Sequence, residues 1–203
     1  MPGPVAITAA QIIAACSVNT HADTVRAIIS VESSGNPLAI GVNGPLRLRA
    51  ARDPADAAQL ARYAISMGYS VDMGLMQVNS RNLAKLGLTP ETVFDPCNNI
   101  RAGTTILSDN YIRARVIHGD GQNALQASLS AYNTGSMTRG FRNGYVRRYY
   151  GGAPIAEARL PADSGNPAGP PPQIVIVDDP YQSGSSVFTR KESANVRVAA
   201  VAP

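Results

Sequence analysis

With 203 residues, 44% of them apolar, the chain can bury one core of ordinary size and lacks the polar excess of a wholly disordered protein. Charge is spread unevenly within the net +4: residues 1–150 carry 14 Lys or Arg against 9 Asp or Glu, and the remainder carries 4 against 5. A front segment at +5 with no dense basic run suits an acidic polymer and gives no support to nucleic-acid binding; Cys16 and Cys97, with no Cys or His at metal-ligand spacing, argue against a metal or thioredoxin-like centre.

Helix signals dominate up to about residue 150. Val5 to Ala15 is the first candidate, too short to span a bilayer and without the basic front and long apolar stretch of a secretory leader. No stable membrane insertion is therefore expected. Asp23 then caps a helix with Val25, Ile28 and Ile29 at helical spacing, and Gly35 and Pro37 stop it just after Glu32. Leu38, Ile40 and Val42, then Leu46 and Leu48, straddle Asn43-Gly44, which predicts a small two-stranded hairpin flap. Asp53-Pro54 opens a helix with Ala57, Leu60, Ala61, Ala64 and Ile65 as its stripe, ended by Gly68. Asn79 caps a short helix through Leu86, stopped at Gly87. Asp95-Pro96 opens a long one with Ile100, Gly103, Ile106, Leu107, Tyr111 and Ile112 along one side, up to Gly119. Asn123 begins a helix carrying Leu125, Leu129 and Tyr132, and Phe141 to Tyr150 reads as the last. After Gly151-Gly152 the composition shifts to Pro, Gly, Ala and Ser, so residues 1–150 are read as the folded domain and 151–203 as a flexible, largely disordered tail. Within that tail Gln173 to Val177 is β-branched, either a stray apolar stretch or a strand that adds to a partner's sheet edge.

Glu32 sits badly for an ordinary carboxylate. The negative end of the helix macrodipole and the aliphatic neighbours both disfavour its charge, which raises its pKa and keeps a proton available near neutral pH. A solvated Glu at a frayed helix end is the plain alternative. Gly74-Leu75-Met76-Gln77 joins a flexible Gly to an apolar floor and an amide that both donates and accepts, while Ala131-Tyr132-Asn133-Thr134-Gly135 ends a helix with an aromatic hydroxyl, an amide and a Gly cap. Each alone also fits a structural role. Asp72, two residues before Gly74, reads either as a surface-loop residue or as a second carboxylate beside Glu32. His21 and His118 lack partners and read as structural or solvated. Cys16 and Cys97 are either two inert thiols or a bridge closing a loop of about 80 residues, which the chain-entropy estimate values at roughly 4 to 5 kcal/mol and which requires an oxidising compartment.

In this order, with 42 residues from Glu32 to Gly74 and 57 from Gly74 to Ala131, the three segments resemble the soluble lytic transglycosylase family. Ala39-Ile40-Gly41-Val42, Gln77-Val78-Asn79-Ser80-Arg81-Asn82 and Phe94-Asp95-Pro96-Cys97-Asn98-Asn99-Ile100 look like its branch attached to type IV secretion and conjugation systems, over roughly residues 10–150. The resemblance implies a mainly α, lysozyme-like α+β fold, no cofactor, and cleavage of the β-1,4 bond between N-acetylmuramic acid and N-acetylglucosamine with a 1,6-anhydro product. Carried over by position, Glu32 would be the catalytic acid and then base, with Ser33 orienting groups beside it. Gly74, Met76 and Gln77 would line the cleft, and Tyr132 and Asn133 would hold Glu32 and the substrate N-acetyl group. One acid suffices when the muramic acid's own 6-hydroxyl is the nucleophile, whereas a hydrolase needs two carboxylates flanking the bond. The expected partners are peptidoglycan strands in the periplasm and, through the tail, components of a secretion machine. A lysozyme-type muramidase, as a phage would carry, and a non-catalytic glycan-binding assembly factor are the alternatives; an acid in an apolar pocket argues against the latter.

Overall fold

Side-chain caps start most of the helices in the computed structural model, which describes residues 8–150. Thr8 caps α1 (Ala9–Cys16) in a reciprocal box with Gln11. His21, not Asp23, caps α2 (Ala22–Ser33): its Nδ1 accepts from the Asp23 N–H at 3.3 Å, while the Asp23 carboxylate pairs with Arg26. Asp53 accepts from the Asp56 N–H at 2.8 Å and Pro54 follows as the first residue of α3 (Pro54–Ser66). Asp95 does the same for the Asn98 N–H at 2.8 Å ahead of α4 (Pro96–His118), and α5 (Gln122–Thr134) ends at Gly135, whose φ of +70° suits the left-handed cap. The expected last helix is two pieces, α6 (Arg139–Arg142) and a 3-10 turn (Val146–Tyr149), because Gly144 between them turns left-handed at φ +77°. The helix expected after Asn79 is likewise a pair of 3-10 turns, Ser80–Asn82 and Ala84–Leu86.

The flap differs from the expected hairpin. Asn43-Gly44 is followed by Pro45, which has no N–H to close a two-residue turn, so Leu46 and Leu48 do not return along the first strand. They pack instead against a core of Ala57, Ala61, Ala64 and Phe94. β1 (Ile40–Asn43) pairs with β2 (Ser70–Met73) beyond α3, and β2 pairs with β3 (Val78–Asn79), giving an antiparallel sheet in the order β1-β2-β3. Its hairpin is β2–β3, and residues 74–77 are the turn.

Two apolar clusters flank α4. One gathers α1, α2, α5 and the Val146–Tyr149 turn around Ile28, Leu107, Leu125 and Leu129; the other lies between α3 and the sheet. Of the stripe expected on α4, Ile100, Leu107 and Tyr111 are buried, but Ile112 is 54% exposed because it lies a hundred degrees round the helix from Tyr111. Cys16 and Cys97 are bridged, which staples the end of α1 to the first turn of α4. No helix among the described residues is long and apolar enough to cross a membrane. The tail, including Gln173 to Val177, lies outside the described residues.

Candidate active site

Between the helical cluster and the sheet runs a cleft of about 840 Å³, and Glu32 stands in its wall at the end of α2. Burial pushes the Glu32 pKa above the usual carboxylate value, and the Asp72 charge adds to that; the Tyr145 hydroxyl and the Arg148 charge pull the other way without cancelling it. The Tyr145 hydroxyl donates to Glu32 Oε1 and lies 2.6 Å from the Tyr149 hydroxyl. Burial drives the pKa of both phenols far up, so they stay protonated and Tyr145 remains a donor. Oε2 makes no hydrogen bond among the described residues.

The Gly74–Gln77 turn is built as one unit. Gly74 adopts φ +74°, and a Cβ there would fall 2.7 Å from Asn99 Cγ. Asn99 Nδ2 donates to the Met73 and Val93 carbonyls, each at 2.9 Å, and its Oδ1 accepts from the Met76 N–H at 2.8 Å. Ser33 Oγ lies 2.8 Å from the Leu75 carbonyl oxygen and the Tyr132 hydroxyl donates to the Met76 carbonyl at 2.7 Å, so the turn is tied to α2 on one side and α5 on the other. These bonds set Tyr132 against the turn, whereas the phenol that touches Glu32 is Tyr145. The Met76 side chain does not line the cleft, since it is fully buried against Gly103, where a Cβ would meet it at 2.6 Å. Gln77, at φ +49°, does line it, its amide nitrogen donating to the Gly74 carbonyl at 2.9 Å.

Asp72 is not in a loop. It lies on β2 opposite Gly41 and Asn79, in the cleft wall, and its two oxygens accept from Asn43 Nδ2 at 2.8 Å and Asn79 Nδ2 at 2.6 Å. No cation pairs with it among the described residues. Asn133 is exposed on the cleft wall and accepts from Asn143 at 3.1 Å, so neither it nor Tyr132 hydrogen-bonds to Glu32. Sequence reasoning missed Tyr145, Tyr149, Asn99, Asn43 and Asn79. His21 is a helix cap and His118 is exposed at the end of α4; no group of three or more His, Cys, Asp or Glu residues that could hold a metal occurs among the described residues.

"Protein virB1" of Rhizobium radiobacter is 40% identical over 133 residues, which cover 66% of this chain and 55% of that protein. "Type IV secretion system protein virB1" of Brucella abortus (strain 9-941) is 40% identical over 128 residues, covering 63% of this chain and 54% of that protein. The matched stretch thus spans about half the length of these curated relatives. No solved structure matches the chain significantly. The family model for the transglycosylase SLT domain matches residues 10–150, the stretch that holds Glu32, the Gly74–Gln77 turn and Tyr145, and the chain belongs to that family.

Proposed function

We propose that this protein is a peptidoglycan lytic transglycosylase that cleaves the β-1,4 bond between N-acetylmuramic acid and N-acetylglucosamine. The observation that carries the reading is Glu32 in the wall of the cleft, its proton favoured by burial, with Oε1 held by a protonated tyrosine and Oε2 without a hydrogen bond among the described residues. Glu32 gives its proton to the glycosidic oxygen as the C1–O bond breaks, and the N-acetylglucosamine leaves with a 4-hydroxyl. Its carboxylate then takes the proton from the muramoyl 6-hydroxyl, whose oxygen closes on C1. No water is consumed, Glu32 ends protonated as it began, and the product carries a 1,6-anhydro end. Ser33, Tyr132 and Asn99 act by holding the Gly74–Gln77 turn beside the acid, and Gln77 and Asn133 offer amides to the sugar N-acetyl and hydroxyl groups.

Mass spectrometry of products from digested murein sacculi tests this: anhydromuramic ends are expected, and Glu32→Gln should abolish their formation with the fold intact. Asp72 favours a second reading. Held by two neutral amides and, among the described residues, unpaired with a cation, it would serve as a charge that steadies a cationic sugar, as a muramidase requires. Reducing muramic ends as the main product, lost in Asp72→Asn, would establish that hydrolase instead.

The relatives bearing type IV secretion names support a role in opening murein locally for such a machine, in the periplasm, where the Cys16–Cys97 bridge is at home. In this reading residues 8–150 do the chemistry and the chain beyond 150 tethers the enzyme to a secretion component, Gln173 to Val177 being the contact.

A further inference from the structure

Asn133, an amide of the cleft wall, is held in one orientation by its neighbour Asn143. The constraint begins at the backbone N–H of Tyr145, which can only donate. It lies 3.0 Å from Asn143 Oδ1, so the oxygen of the Asn143 amide is committed to its own chain and the nitrogen is turned to Asn133, 3.1 Å away. An amide nitrogen cannot accept. Asn133 therefore meets it with Oδ1, and Asn133 Nδ2, which makes no hydrogen bond among the described residues, remains as the donor at the cleft wall. The base beneath Asn143 is fixed as well. Ser130 Oγ, in a residue with no exposed surface, accepts from the Gly140 N–H at 2.8 Å and donates to the Ser136 carbonyl at 2.6 Å. A Cβ on Gly140 would fall 2.6 Å from Ser130 Cα, so α6 is pressed against α5 with no room for a side chain between them. The Asn143 N–H closes α6 on the Arg139 carbonyl at 3.1 Å, and Gly144 then turns the chain to Tyr145, the phenol that bonds Glu32.

An exposed asparagine without such a partner can turn its amide over and present either the N–H groups or the carbonyl. The acetamido group of an N-acetylated sugar likewise has two sides, a carbonyl oxygen that accepts and an N–H that donates. We propose that Asn143 is a specificity-determining positioning residue: it fixes Asn133 as a donor, so that the cleft reads the acetamido carbonyl oxygen of the sugar seated there. This assignment rests on the murein reading and adds to it which atom of the N-acetyl group is recognised. Asn143 acts through Asn133, not through a contact of its own with the sugar.

The test uses the full, disulfide-bonded chain and soluble murein glycan strands, with equilibrium binding and cleavage measured for each variant. Asn143→Asp keeps an acceptor for the Tyr145 N–H but offers Asn133 a second oxygen, which turns the Asn133 amide over and puts its carbonyl where the donor was. Binding should weaken and KM rise about tenfold with kcat within about twofold, since the acetamido group is held alike before and during bond breaking. Asn143→Ser, which can still accept from the Tyr145 N–H but is too short to reach Asn133, should raise KM about threefold. In an Asn133→Ala background, Asn143→Asp should change KM less than about twofold, because the residue it acts through is gone. Strands stripped of their acetyl groups should show no loss on Asn143→Asp. Both side chains are exposed, so every variant should melt within about 3 °C of the parent. An unchanged KM for Asn143→Asp, full additivity with Asn133→Ala, equal losses on acetylated and stripped strands, or a fall in kcat alone would each overturn the assignment. Strands bound with this dependence on Asn143 yet left uncleaved would keep it and remove the catalytic reading, and strands neither bound nor cleaved would remove both.

Discussion

Replacing Asn99 with alanine removes three hydrogen bonds at once from a side chain that is 1% exposed. The Met73 and Val93 carbonyls lose donors and the Met76 N–H loses its acceptor. A buried polar group left unpaired costs about 1–3 kcal/mol, and water entering the vacated space recovers part of that, so the sum comes to about 3–5 kcal/mol. A domain's whole stability is about 5–15 kcal/mol, so the variant should still fold but melt about 10 °C lower. Asn99→Asp should be worse than Asn99→Ala at neutral pH, because it aims an acidic oxygen at two carbonyls, and should recover as the acid is protonated. Urea unfolding followed by circular dichroism reads the stability, and murein digestion reads the loosened turn, which should lower the rate even well below the melting temperature. A loss under about 1 kcal/mol with full activity would refute the role of Asn99 as the clamp of the Gly74–Gln77 turn.

Tyr145→Phe removes the hydrogen bond that lowers the Glu32 pKa, so the alkaline limb of the pH–rate profile should move to higher pH as kcat falls; an unmoved limb would separate the phenol from the acid. Because the folded-state pKa of Glu32 lies above its ordinary value of 4.5, its contribution to stability is full below that pH and is lost as pH rises through the folded value. The melting temperature of Glu32→Gln should therefore gain on the parent's as pH increases, and parallel curves would contradict the shift. Cys97→Ser should cost about 2–5 kcal/mol, and peptide mapping without reductant should recover Cys16 and Cys97 in one linked fragment. A chain ended at Gly152 should digest murein at the parent rate; loss of digestion would put part of the catalytic domain beyond that point.

Helix starts were legible because capping is local. Asp53-Pro54 and Asp95-Pro96 need only their own next turn to act, and both begin helices where they stand. The place of Glu32 at the end of α2 was legible for the same reason, since the helix stop and its aliphatic neighbours are written within one segment. The sheet was not, because Asn43-Gly44 looks like a hairpin until Pro45 is asked for an N–H, and the true partner of β1 lies beyond α3. What holds the acid depends on such distant pairings. Tyr145 is 113 residues from Glu32, and only the break at Gly144 turns its phenol back to α2. Asn43 and Asn79 reach Asp72 only because β2 lies between β1 and β3.

The same pairings bear on the choice between the proposed transglycosylase and the alternative hydrolase. Glu32 alone satisfies the first chemistry, since its substrate carries its own nucleophile, and nothing in that route requires a second charge. Yet the flap presents Asp72 with both oxygens already bonded to amides. That arrangement steadies the charge in place but leaves no oxygen without a protein donor, which suits electrostatic support of a cationic sugar better than attack on it or activation of water. Asp72 then also favours the protonated form of Glu32, because its negative charge is one of the two causes that raise that pKa. On this view Asp72→Asn slows cleavage and shifts the alkaline limb to lower pH, opposite in sign to Tyr145→Phe, while the anhydro product is retained. A slowed enzyme with an unshifted limb would reduce Asp72 to a structural part of the sheet.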